Sequence, residues 1–231
     1  MSSPARESIL SNIRAALGRP AEPDPTDDAG AAEPARSPVA PVIPAIAHGT
    51  HAELVARFIT NAEAAAATVS RCAPGDVGDA VAQYLAGIGL PLRAMVPPDP
   101  RLDGLDRDSR FTLDRRAAPT ADDTVGIAHA LAGIAETGTI LMASGPASPA
   151  TLNVLPETHI VVLRASDIVG GLEDGWSRLR HAHPDGLPRT VHMITGPSRT
   201  GDIEQTLQLG AHGPRQLHVV LVDDGADGQG A

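Results

Sequence analysis

Residues His159–Leu179 read HIVVLRASDIVGGLEDGWSRL, and this stretch decides the fold. Its first five residues form a near-continuous apolar run without polar alternation, which is the pattern of a strand buried on both faces. Ser166 and Asp167 then open a helical pattern, with Ile168, Val169, Leu172, Trp176 and Leu179 spaced to share one face. A buried strand feeding an amphipathic helix is the unit from which parallel sheets are built.

The same alternation continues on both sides. Thr139–Ala143, Thr190–Ile194 and Leu217–Val222 read as further strands, and a short helix is expected over Thr200–Leu209, stopped by Gly210. Upstream, Thr50 and Glu53 form a capping-box pattern ahead of Leu54, Val55, Phe58, Ile59 and Ala62 at helical spacing. A second helix is expected from about Asp76 to Gly87 and a strand over Pro91–Val96, followed by an Asp- and Arg-rich stretch that reads as surface loops. The expectation is an α/β fold, a mostly parallel sheet flanked by helices. Ligands of such sheets bind beyond the carboxyl ends of the strands, which directs attention to the residues that follow each strand.

The chain has 231 residues and a net charge of −10, and its 18 basic side chains are all arginine. Without lysine there is no Schiff-base chemistry and no P-loop phosphate lysine. A single cysteine, Cys72, can neither close an internal disulfide nor supply the four thiolates of an iron–sulfur cluster, so this chain alone holds no such cluster, and no cofactor is assigned to it. The acidic balance argues against nucleic acid as a partner. No apolar run approaches the roughly 18 residues of a membrane span, and the first residues lack the apolar core of a signal peptide. A soluble, cytoplasmic protein is therefore expected. Aromatic residues are restricted to Phe58, Tyr84, Phe111 and Trp176, which leaves the core to Val, Leu, Ile and Ala.

Residues 1–19 read as an amphipathic helix, with Ile9, Leu10, Ile13 and Leu17 on one face, able to dock on its own domain, a second copy or another protein. Residues 20–49 are rich in Pro, Ala and Asp and read as a linker. The compact domain is expected over 50–224, with a flexible tail at 225–231.

Three constellations carry chemistry. The first is TGPSRTGDIE, Thr195–Glu204, between a strand and the expected helix: Gly196 and Pro197 turn the chain, and Ser198, Arg199 and Thr200 stand where helix amides and a guanidinium fork favour a small carboxylate or other anion. Asp202 lies in the expected first turn. The alternative is that Ser198 or Thr200 caps the helix and Arg199 pairs with Asp202 or Glu204. The second is LGAHGPR, Leu209–Arg215, where His212 beside Gly213 is a candidate acid, base or ligand donor, or else a hydrogen-bonded turn residue. The third is IAETGTI, Ile134–Ile140, where Glu136 is a candidate acid, base or nucleophile, with Thr137, Gly138 and Thr139 shaping the turn around a ligand. A glutamate that merely caps a backbone turn is the competing reading. His181, His183 and Asp185 fall short of a metal ligand set, and no metal is assigned. Asp223 and Asp224 read as a solvated tail.

AETGT, LPETHIVVL, TGPSRTGDIE and GAHGPR, in that order over roughly residues 120–222, resemble the lactate utilization protein C family of LUD-domain proteins. Ser8–Arg19, SILSNIRAALGR, resembles that family's opening helix, and Gly201 stands where the family typically has alanine. The resemblance implies a fold similar to the NagB/RpiA/CoA-transferase-like fold. It also implies a non-redox subunit of a system oxidising L-lactate to pyruvate with two iron–sulfur partner proteins, in which this chain binds a small carboxylate or organises the assembly. Apart from the resemblance, a homo-oligomer is a further expected form. A stand-alone CoA-transferase-like enzyme using Glu136 is the alternative.

Overall fold

The computed structural model describes residues 4–18, 42–107, 109–203, 206–209 and 212–225. Most of the expected linker and tail, 20–41 and 226–231, lies outside the described residues, as do Glu204 and Gly210. The chain divides into two units, Met1–Val42 and Ile43–Ala231. In the first, the expected helix is α1, Pro4–Ala16, with Ile9 and Ile13 exposed along its apolar stripe.

The second unit begins earlier than residue 50. Pro44 leads into a 3-10 turn, Ala45–Ala47, whose Ala47 is buried, and Arg57 donates to the carbonyls of Ile46 (2.6 Å) and His48 (3.2 Å). The capping box then forms as read: the Glu53 amide donates to Thr50 Oγ1, and the Thr50 amide to Glu53 Oε2, at the start of α2, His51–Ala64.

The remaining elements in chain order are β1 (Thr68–Cys72), α3 (Val77–Gly87), β2 (Arg93–Val96), β3 (Thr112–Arg115), β4 (Val125–His129), β5 (Ala132–Ile134), β6 (Thr139–Ala143), β7 (Thr158–Arg164), β8 (Ile168–Val169), α4 (Leu172–Ala182), β9 (Val191–Ile194), β10 (Arg199–Ile203), β11 (Thr206–Leu209) and β12 (Gln216–Val222). A six-stranded sheet, ordered β1-β12-β7-β4-β2-β3, is parallel at every pairing. Its central strands are buried on both faces, as the apolar run at 159–163 demanded.

The two faces carry separate cores. One gathers Val161, Leu163, Val219 and Leu221 against Phe58 of α2 and Ile140 and Met142 of a second sheet; the other gathers Ile160, Val162, Ile127 and Val220 against Val81 and Leu85 of α3 and Leu102 and Leu105. The second sheet has four strands, ordered β8-β5-β6-β9, and its far side packs on Leu179 and Trp176 of α4. Among the described residues no helix is long and apolar enough to cross a membrane.

Four expectations are corrected. Thr139–Ala143 and Val191–Ile194 are strands, but they pair antiparallel with each other in the smaller sheet instead of joining the parallel one. The helix expected from Ser166 starts at Leu172, because Ile168 and Val169 first pair with Gly133 and Ile134 of β5. The helix expected over Thr200–Leu209 is an antiparallel hairpin, β10–β11, with Arg199 opposite Leu209; Thr200, Gly201, Asp202 and Thr206 are weak helix formers, and the threonines suit a pleated surface. The Asp- and Arg-rich stretch includes β3 and a 3-10 helix, Pro100–Arg107, that buries Leu102 and Leu105.

Candidate functional site

The chain returns twice from the small sheet to the amino ends of the central parallel strands. The first return, residues 144–157, carries the 3-10 turn Ala150–Asn153 into β7. The second leaves β9 through Thr195–Ser198, makes the hairpin, and re-enters through His212–Arg215 into β12. A cavity of about 280 Å³ opens between these returns, lined among others by Asn153, His159, His192, Thr195, Ser198 and His212. It lies at the amino ends of β7 and β12, opposite to the end expected from the parallel-sheet rule.

The loops that the sequence singled out do meet here. The Ser198 amide donates to the Pro214 carbonyl at 2.8 Å, and a side chain added at Gly213 would touch Ser198 Cβ at 3.3 Å. Gly196, Pro197, Ser198, His212 and Gly213 all line the cavity. The ETGT turn joins from behind, through a chain of hydroxyls: Thr137 Oγ1 to Thr139 Oγ1 at 2.6 Å, and Thr139 Oγ1 to Thr195 Oγ1 at 2.7 Å.

Two glycines set these turns against α2. Gly138 has φ +67 and a Cβ there would stand 2.3 Å from the Ala62 amide nitrogen; Gly196 has φ +76 and a Cβ there would stand 2.0 Å from the Ala65 carbonyl oxygen. Only glycine combines that conformation with that approach.

Other sequence candidates point elsewhere. Glu136 Oε1 accepts from the Leu172 amide at 2.8 Å, so its carboxylate caps α4, beside Asp174 on the Gly171 amide. Asn61 Nδ2 holds the carbonyls of Ala135 and Glu136 at 2.8 and 3.2 Å. Arg199 donates to the Ala65 carbonyl at 3.2 Å, at the end of α2, where the helix dipole favours a cation. With a hairpin in place of a helix, no row of free helix amides follows the Gly196–Ser198 turn. Thr200 and Asp202 lie in β10, and their side chains fall outside the described residues. His181 Nδ1 sits 2.7 Å from the Ser177 carbonyl of its own helix. Asp223 and Asp224 are tied down at the surface: Arg71 pairs with Asp223 at 2.7 Å, and Asp224 accepts from the Ser166 amide at 3.0 Å.

The most unusual groups of the cavity are not among the sequence candidates. His159, second residue of β7, is fully buried and neither ring nitrogen has a partner. Burial, with His192 nearby, pushes its pKa down to about 4, so it is neutral at physiological pH. Asn153 Nδ2 lies 2.8 Å from His192 Nδ1, while Asn153 Oδ1 is buried and unpaired. Buried polar atoms without partners are rare and costly, and here they belong to two residues that line one cavity. The available signal was a histidine at the head of an otherwise apolar strand.

A second polar cluster sits beyond the carboxyl ends of β2 and β4. Burial raises the Asp99 carboxyl, but the Arg101 fork, at 2.7 to 3.1 Å, more than offsets this and holds it low. His129, at the end of β4, places Nδ1 2.6 Å from the Ala130 carbonyl, and burial pushes its pKa down to about 4. Among the described residues no three His, Cys, Asp or Glu side chains gather as a metal site.

The family model described as LUD domain matches residues 55–222. A lactate utilization protein C of Exiguobacterium is 36% identical over 118 residues, covering 50% of each chain. That of Bacillus subtilis is 30% identical over 149 residues, covering 56% of this chain and 62% of its own. The chain thus spans about half to three fifths of the length of these curated relatives. The crystal structure of a DUF162 family protein from Deinococcus radiodurans aligns with a TM-score of 0.62 at 23% identity, over 76% of this chain and 99% of that one, a likeness of fold.

Proposed function

The chain belongs to the LUD domain family, and from that premise we propose that it is a non-redox component of L-lactate utilization, binding a small carboxylate in the cavity beside Gly196–Ser198. The carrying observation is His159, fully buried with both ring nitrogens unpaired on the wall of a cavity that the motif loops enclose. The carboxylate sits beside Ser198 and His212, which line the cavity with His192 and Thr195. Electron transfer belongs to two iron–sulfur partner proteins, in keeping with a chain whose single cysteine cannot hold a cluster. The names of the relatives support the lactate role; the commitment of Glu136 to the start of α4 gives no support to a stand-alone enzyme built on that carboxylate.

The test is anaerobic, lactate-dependent reduction of an artificial electron acceptor by the two partners, with and without this chain and with its His159→Leu variant. Activity that requires the chain and drops to the level of the partners alone with the variant is the expected result. Equal activity of the partners without the chain would defeat the proposal.

A further inference from the structure

The pairing of Ile140 with Ile194 in the small sheet brings Thr139 opposite Thr195, the next residue along each strand. Their hydroxyls meet at 2.7 Å, and Thr137 Oγ1 joins Thr139 Oγ1 at 2.6 Å, so that three hydroxyls form one chain. Thr139 in the middle is buried, Thr137 is exposed at one end, and Thr195 at the other end is exposed on the cavity wall. A hydroxyl has one hydrogen to donate, and a buried one left without an acceptor is costly. Thr139 therefore donates to one neighbour and accepts from the other, which leaves two arrangements. In the first, Thr139 donates to Thr195 and the Thr195 hydrogen is free for the cavity. In the second, Thr195 donates to Thr139 and shows the cavity only lone pairs. Solvent at Thr137 satisfies either. Gly138 and Gly196, each at positive φ and close against the end of α2, fix the two turns that carry the chain.

An anionic oxygen only accepts hydrogen bonds, so it draws the chain into the first arrangement. We propose that the Thr195 hydroxyl donates to an oxygen of the carboxylate held in this cavity, and that Thr139, which touches no ligand, is the positioning residue that turns the Thr195 hydrogen outward. This role depends on the cavity being the carboxylate site proposed above and adds two residues through which that site holds its anion. A cross-strand threonine pair by itself is a common sheet contact. This one is set apart by ending on the cavity wall, directly before the Gly196–Ser198 turn.

The test is titration of the full chain with L-lactate and with pyruvate, followed by NMR or calorimetry, in the unaltered protein and in Thr195→Val, Thr139→Val and Thr139→Ser, each checked for native circular dichroism and urea midpoint. Thr195→Val is expected to weaken both acids about tenfold or more, as the loss of a hydrogen bond to a charged group requires. Thr139→Val should weaken both about threefold, the scale of a hydrogen bond between neutral groups, and Thr139→Ser, which keeps the hydroxyl, should restore the affinity of the unaltered chain. Undiminished binding of both acids by Thr195→Val overturns the contact. Equal affinities of Thr139→Val and Thr139→Ser overturn the positioning role, and a loss in Thr195→Val confined to one acid overturns the assignment to the carboxylate the two share. Failure of both acids to bind the unaltered chain overturns the ligand site itself.

Discussion

Two residues set the extremes of what single side chains do here. His159 costs stability: an imidazole with two buried unpaired nitrogens is worse for the fold than an aliphatic group of similar size. His159→Leu is therefore expected to raise unfolding stability by about 1 kcal/mol in urea titration while removing ligand binding, the pattern of a residue kept for function. Gly138 is the reverse case, since its φ of +67 and the 2.3 Å that would separate a Cβ from the Ala62 amide nitrogen leave no room for any side chain. Gly138→Ala should lose about 3 kcal/mol or more by the same measurement, because the turn must move off α2. The glycine was legible in ETGT as a turn residue; the helix backbone at Asn61 and Ala62 that forbids a side chain there is far away in sequence and was not.

At the scale of elements, the ends of the helices hold the site together. The end of α2 is a Schellman arrangement, with the Ala67 amide on the Ala62 carbonyl at 3.0 Å and the Ala66 amide on that of Glu63 at 2.8 Å. Ala66 occupies the left-handed position, φ 66, that such ends usually give to glycine. Ala66→Gly should raise stability by about 0.5–1 kcal/mol, read as a higher urea midpoint. The start of α4 takes Glu136 as its cap, so Glu136→Ala should cost about 1 kcal/mol of stability and leave lactate binding unchanged. The capping box of α2 could be read from Thr50 and Glu53, because its partners are three residues apart. The true start of α4 could not, because Ile168 and Val169 satisfy a helical pattern locally and are diverted by β5, well upstream in the chain.

Across the whole molecule, three buried histidines, His129, His159 and His218, have pKa values pushed down to about 4, chiefly by burial. His218 stacks on Tyr84 at 3.7 Å and meets Thr68 and Ser70 of β1 at 2.8 and 3.0 Å, locking the edge strand to β12. Each is neutral in the fold but charges in the unfolded chain near pH 6.5, so unfolding takes up protons between those values. Above about pH 6.5 the rings are uncharged in both states and carry no charging penalty; the penalty grows as pH falls and levels off below about 4, at most about 3 kcal/mol from each. Urea midpoints should accordingly drop steeply from pH 7 to pH 4.5, and a flat profile would contradict the burial of these rings.

The sequence by itself determined what rests on neighbours in the chain: the buried strands at 159–163 and 217–222, the parallel α/β class, the capping box of α2 and the turn glycines. Tertiary structure decided which sheet each strand joined, that Thr200–Leu209 is a hairpin, and that the cavity opens at the amino ends of β7 and β12. The physical reason is that these outcomes depend on partners far away in sequence. The small sheet, assembled from segments after β4 and β7, sends the chain back to the amino ends of the parallel strands, and those returns enclose His159 and Asn153, whose hydrogen-bonding groups no local pattern could show to be unpaired.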